Sequence, residues 1–143
     1  MNLVLGERLA FIDWDGAGPG SRLWDLAYAA HGFVPLSADP AGVTSRQLGR
    51  RCATGDPVRL DVHFGARLRT LVDAYGLAEQ QRHDLVNLLA VPARAMYELL
   101  SDGAATGTQP WARLWDEGHG QVWRSDTEFI ERRQEAWLHA LLG

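Results

Sequence analysis

A chain of 143 residues is one domain's length, and 46% hydrophobic residues with six tryptophans exclude a chain too polar to fold. A formal charge of −4 excludes a strongly basic nucleic-acid binder, and the lack of a long apolar run excludes a membrane-spanning helix. The single Cys52 excludes an internal disulfide and points to a reducing cytoplasm.

Asn2-Leu3-Val4-Leu5 and Arg8-Leu9-Ala10-Phe11-Ile12-Asp13 flank Gly6-Glu7, a pair suited to a two-residue type II′ turn, and so predict a β-hairpin. That turn sets Leu5 opposite Arg8, Leu3 opposite Ala10 and Asn2 opposite Phe11. Asn2 and Asp13 then become diagonal neighbours roughly 7–8 Å apart at one end of the ribbon. After the Gly/Pro loop, Ser21 to Ala30 reads as a helix with Leu23, Leu26, Ala27 and Ala30 on one face and Asp25 near its N-terminus. Leu36 to Pro57 has no periodicity, is rich in Ser, Gly, Pro and Asp, and carries Arg46, Arg50 and Arg51.

Leu60, Phe64, Leu68, Leu71, Val72 and Tyr75 form a helical stripe that Gly76 ends. Leu85, Leu88, Leu89, Met96 and Leu99 form another, which Pro92 must kink or split. Ser101 to Pro110 reads as a loop, and Trp111 and Trp115 sit one turn apart in a short segment stopped by Gly118. A last amphipathic helix sets Phe129, Ile130, Trp137, Leu138 and Leu141 against Glu128, Glu131, Arg132 and Glu135. Trp111, Trp115, Trp123 and Trp137 are expected to build the core. The predicted class is α+β, mainly α: an N-terminal β-hairpin followed by a bundle of about five helices.

The chemistry concentrates between Phe11 and Tyr28. There an apolar run ends in two alternating carboxylates, Asp13 and Asp15, and the loop Gly16-Ala17-Gly18-Pro19-Gly20 follows. Carboxylates at a strand end facing a glycine-rich loop suit a divalent cation and a phosphate. The bland alternatives are turn chemistry for Asp-x-Asp and a favourable helix-dipole position for Asp25. His31, His63, His83, His119 and His139 lack the spacing of a zinc site and read as helix-surface or boundary residues. Phe11-Ile12-Asp13-Trp14-Asp15-Gly16 also resembles the first motif of haloacid-dehalogenase-type phosphatases, with Asp13 as nucleophile and Asp15 as general acid. Ala17 in place of the phosphate-binding threonine, the absence of lysine and the helical remainder count against that reading.

Residues 2 to 28 more closely resemble the metal-binding segment of the aminoglycoside phosphotransferase and choline kinase family of small-molecule kinases. That family's pattern is His-x-Asp-x-x-x-x-Asn, a short hairpin, Ile-Asp-Phe/Trp-Asp/Glu, a loop and Trp-Asp-Leu-Ala. Asn2 matches the asparagine, Ile12-Asp13-Trp14-Asp15 the acidic motif and Trp24-Asp25-Leu26-Ala27 the helix motif. The resemblance implies that Asp13, Asn2 and Asp15 hold Mg²⁺ on the phosphates of ATP and that Asp25 braces the catalytic loop. It implies transfer of the γ-phosphoryl group to a hydroxyl of a small aminoglycoside-like or choline-like acceptor. It also implies a fold like the C-terminal lobe of a protein kinase: one domain over 1–143, with a metal-binding hairpin and loop at 1–20 and a helical subdomain at 21–143.

The family's catalytic base falls upstream of Met1, and its nucleotide lysine has no counterpart among these residues, whose 14 basic side chains are all arginine. The chain is accordingly expected to be inactive alone, weak or lacking in metal and nucleotide binding, and prone to self-association through an uncovered hairpin face. The alternative expectation is a non-catalytic kinase remnant that acts as a binding module in the cytoplasm.

Overall fold

The computed structural model describes residues 2–5, 9–12, 19–39 and 57–143, with side chains described for 19–39 and 63–143. β1 (Asn2–Leu5) and β2 (Leu9–Ile12) form a two-stranded antiparallel ribbon that pairs only with itself. The packed body is built from helices alone, which corrects the α+β class expected from the sequence. Two strands of four residues are too small to make a layer, and every apolar stripe that forms the core repeats with the helical period.

Seven helices are seen among the described residues where about five were expected. They are α1 (Arg22–Phe33), α2 (Pro57–Tyr75), α3 (Glu79–Leu88), α4 (Val91–Thr106), α5 (Trp111–Asp116), α6 (His119–Glu131) and α7 (Gln134–Leu142). Ser21 caps α1, its Oγ accepting from the Trp24 amide at 3.1 Å. α2 ends as its sequence dictates: Gly76 takes a left-handed φ of 78°, and the amides of Gly76 and Leu77 fold back onto the Asp73 and Val72 carbonyls. Leu77 is buried beneath that turn. Pro92 splits the next stripe, lying in the first turn of α4 where its missing amide costs nothing.

Three elements depart from the sequence reading. Ser101 to Thr106 continues α4, and the loop shrinks to Gly107–Pro110 because Gly107, at φ 70°, ends the helix. Gly103 does not break α4; it lets Trp111 of α5 approach the helix backbone. The last amphipathic stretch is two helices, parted at Arg132 and Arg133, with the Arg133 guanidinium 4.0 Å from the centre of the Phe129 ring.

The core runs from α1 (Leu26, Ala27, Ala30) through α2 (Phe64, Leu68, Val72), α3 (Leu85, Val86) and Leu89 just after it to Phe129, Ile130, Trp137 and Leu141. Tyr75 and Leu99, expected on apolar stripes, are 49% and 40% exposed; Leu100 is the buried residue of that turn. Of the four tryptophans assigned to the core, only Trp137 is fully enclosed, while Trp111, Trp115 and Trp123 are half-buried. Indole rings of that size cover the flank of a small bundle without fitting inside it.

Two arginines fasten the end of α7. Arg82 donates from Nη1 to the Leu141 carbonyl at 3.0 Å and from Nε to the Leu77 carbonyl at 3.1 Å, and its Nη2 lies 2.6 Å from Asp73. Arg69 reaches the Ala140 carbonyl at 3.3 Å. Cations at a helix C-terminus satisfy the last carbonyls and oppose the negative end of the dipole. Arg82→Met is expected to lower unfolding free energy by about 1–2 kcal/mol, read from the urea midpoint. Among the described residues no helix is long and apolar enough to cross a membrane.

Candidate functional site

The ribbon register is Asn2↔Ile12, Leu3↔Phe11, Val4↔Ala10 and Leu5↔Leu9. The two-residue turn expected at Gly6-Glu7 is therefore corrected: Gly6, Glu7 and Arg8 all fall between the strands, and the pairing slips by one residue. Side chains alternate along a strand, so a one-residue slip exchanges faces. Asn2 now shares a face with Ile12, and the common face expected for Asn2 and Asp13 is no longer set by the ladder. The ladder ends at the pair Asn2↔Ile12, and Asp13, the next residue in sequence, lies outside the described residues.

Asp13 and Asp15 lie outside the described residues, as does the loop up to Gly18. For Asn2, and for Leu3, Leu5 and Phe11 on the face expected to self-associate, the description extends to the backbone alone. Asp25 is seen in full. It sits in the first turn of α1 with its amide bonded to the Ser21 carbonyl at 3.2 Å, and its carboxylate is exposed. An exposed acid there favours the positive end of the helix with no further partner needed. Among the described residues, no group of three or more His, Cys, Asp or Glu side chains is placed to hold a metal.

A buried polar cluster lies at the other end of α1. Asp126 of α6 is only 2% exposed, yet it carries a carboxylate. Its Oδ1 accepts from Ser37 Oγ at 2.8 Å and from the Ala38 amide at 2.8 Å, and its Oδ2 lies 3.0 Å from His31 Nε2. Ser37 Oγ in turn accepts from the Asp39 amide at 3.2 Å. The His31 ring stacks on Trp123, with centroids 4.9 Å apart. His31 is thus no surface histidine: its side chain is 12% exposed and spoken for on two sides.

The sequence reading missed this cluster because its partners are 88 to 95 residues away from Asp126. A sign of it was nonetheless present. Trp123, Thr127 and Ile130 place Asp126 on the inward side of α6, where an acid needs partners. Chemically the cluster is a tether. Ser37 and His31 each face the carboxylate rather than each other, so it is not a nucleophile-activating relay.

An open depression of about 340 Å³ is lined by Arg69, Asp73, Leu77, Glu79, Arg82, Leu141 and Leu142. Both arginines are committed to Asp73 and to the carbonyls that end α7, which makes the depression a capping joint rather than an anion pocket. Comparison of the chain with protein-family models, curated proteins and solved structures gave no match.

Proposed function

We propose that this chain is the metal-binding part of a cytoplasmic small-molecule phosphotransferase, which moves the γ-phosphoryl group of ATP to a hydroxyl of an aminoglycoside-like or choline-like acceptor. The observation that carries the reading is the pairing of Asn2 with Ile12, which brings the asparagine to the place where the chain enters Asp13-Trp14-Asp15. Two carboxylates and an amide oxygen are hard donors suited to Mg²⁺, which completes its octahedron with water and phosphate oxygens. Bound there, Mg²⁺ would neutralise charge on the nucleotide phosphates. Within this chain, Asp13 is assigned as the principal ligand, Asn2 and Asp15 as supporting ligands, and Asp25 as a brace at the start of α1.

A second reading is a non-catalytic kinase remnant that acts as a binding or interaction module. It is favoured by one observation: the residues include no lysine to hold nucleotide phosphates. Neither reading expects this chain alone to transfer phosphoryl from labelled ATP to aminoglycosides, choline or sugars; turnover abolished by Asp13→Ala would remove the second and require a different mechanism of the first.

The metal assignment is tested by Mn²⁺, which accepts looser geometry than Mg²⁺ and broadens nearby nuclear resonances. Signals from Asp13 to Gly16 are expected to disappear first, with a midpoint on the order of millimolar. Asp13→Asn should raise that midpoint about tenfold, equivalent to about 1.4 kcal/mol, while Asp25→Asn leaves it within about twofold. Broadening that begins on another acidic surface would sink the assignment.

A further inference from the structure

We propose that Asp126 is a latch: it holds the segment Val34–Asp39 closed on the bundle, and that segment opens as a unit while the helical body stays folded. The segment makes little structure of its own. Its one internal backbone bond, from the Ser37 amide to the Pro35 carbonyl at 2.8 Å, closes a tight turn. What holds the segment is Leu36 and Val34, seated in the core, and the single carboxylate of Asp126.

The polar ties converge on that one group. Ser37 Oγ and the Ala38 amide both donate to Oδ1, and the Asp39 amide is reached through Ser37 Oγ. Oδ2 takes His31, whose ring Trp123 backs, so the last turn of α1 and the segment share one anchor on α6. Losing the carboxylate therefore removes every polar tie described between the segment and α6 together. Ala38 and Asp39 are already exposed, so water meets their amides as soon as the bonds break. The helices below are held by contacts that do not involve α6: α2 against α7, α3 against α7, and α4 against α5. Local opening below the cost of global unfolding is the expected result of that division.

Native-state amide hydrogen exchange on the full chain tests this. Asp126→Ala should speed exchange at Ser37, Ala38 and Asp39 by at least about tenfold more than at Leu100, deep in α4. Leu141→Ala, a core truncation remote from the cluster, should speed both sets by about the same factor. Asp126→Asn keeps an acceptor for Ser37 and Ala38 and should return the segment to within about threefold of the parent protein. Should Asp126→Ala fail to fold, Ser37→Ala decides on the same terms, with faster exchange at positions 37–39 and not at Leu100. Acceleration spread evenly over α4 and the segment, or no acceleration in the segment, overturns the proposal.

Discussion

Trp137→Ala is expected to cost about 3–5 kcal/mol of unfolding free energy, the largest loss of any single side chain in this protein. The ring is fully enclosed and packs against Phe129 with centroids 6.0 Å apart, at the meeting of α2, α6 and α7. Domains of this kind have about 5–15 kcal/mol in total, so the alanine variant should lose a large share of its cooperative transition. Trp137→Phe makes the sharper test. The indole Nε1 is buried with no hydrogen-bond partner among the described residues, and an unmade bond of that kind costs about 1–3 kcal/mol. Phenylalanine removes that cost while keeping most of the apolar area, and its net loss should stay below about 1.5 kcal/mol. Urea unfolding followed by circular dichroism measures both. Equal losses for the two variants would mean that the indole N–H is satisfied in solution.

Gly103→Ala should destabilise the protein by about 2–3 kcal/mol, against the ordinary preference of helices for alanine. A methyl group on Gly103 would lie 2.2 Å from Trp111 Cβ and 3.4 Å from the Trp111 carbonyl carbon. The obstacle is Trp111 Cβ, which is fixed to its backbone and cannot rotate away, so α4 and α5 must part, and with them the contact of Tyr97 on Trp115 at 5.7 Å. Gly32, in α1, is the control: nothing lies within 4 Å of its virtual methyl, and Gly32→Ala should stabilise by up to about 1 kcal/mol. Thermal melts of the two variants should move in opposite directions. A Gly103→Ala protein as stable as its parent would show that the α4–α5 crossing is not close.

The parts of the fold that local chemistry decides were legible in the sequence. Gly76 ends α2, Pro92 splits the α3–α4 stripe and Ser21 starts α1, each through a backbone effect confined to a few residues. What resisted reading depends on what lies across the interface. Gly103 is a breaker by composition and a contact by structure, since only the position of Trp111 tells the two apart. The break at Arg132 and Arg133 carries neither Pro nor Gly, and the apolar stripe from Phe129 to Leu141 reads straight through it. The ribbon was legible as a pair of strands, but its register was not, because a two-residue and a three-residue connection fit the same apolar pattern. Of the candidate metal site, Asn2 and Asp25 fall on described elements and Asp13 and Asp15 do not. Asp126 was opaque for the opposite reason: its chemistry is plain, but its partners are far away in the chain.

That separation has a consequence for how the protein is made. Ribosomes extend a chain at about 5–20 residues per second, so α1 leaves the tunnel roughly 5–20 s before its Asp126 partner, 95 residues later, can reach it. During that interval the turn after α1 has no carboxylate to close on, and Leu36 has no finished core to enter. The segment after α1 therefore takes its final shape only once α6 has emerged.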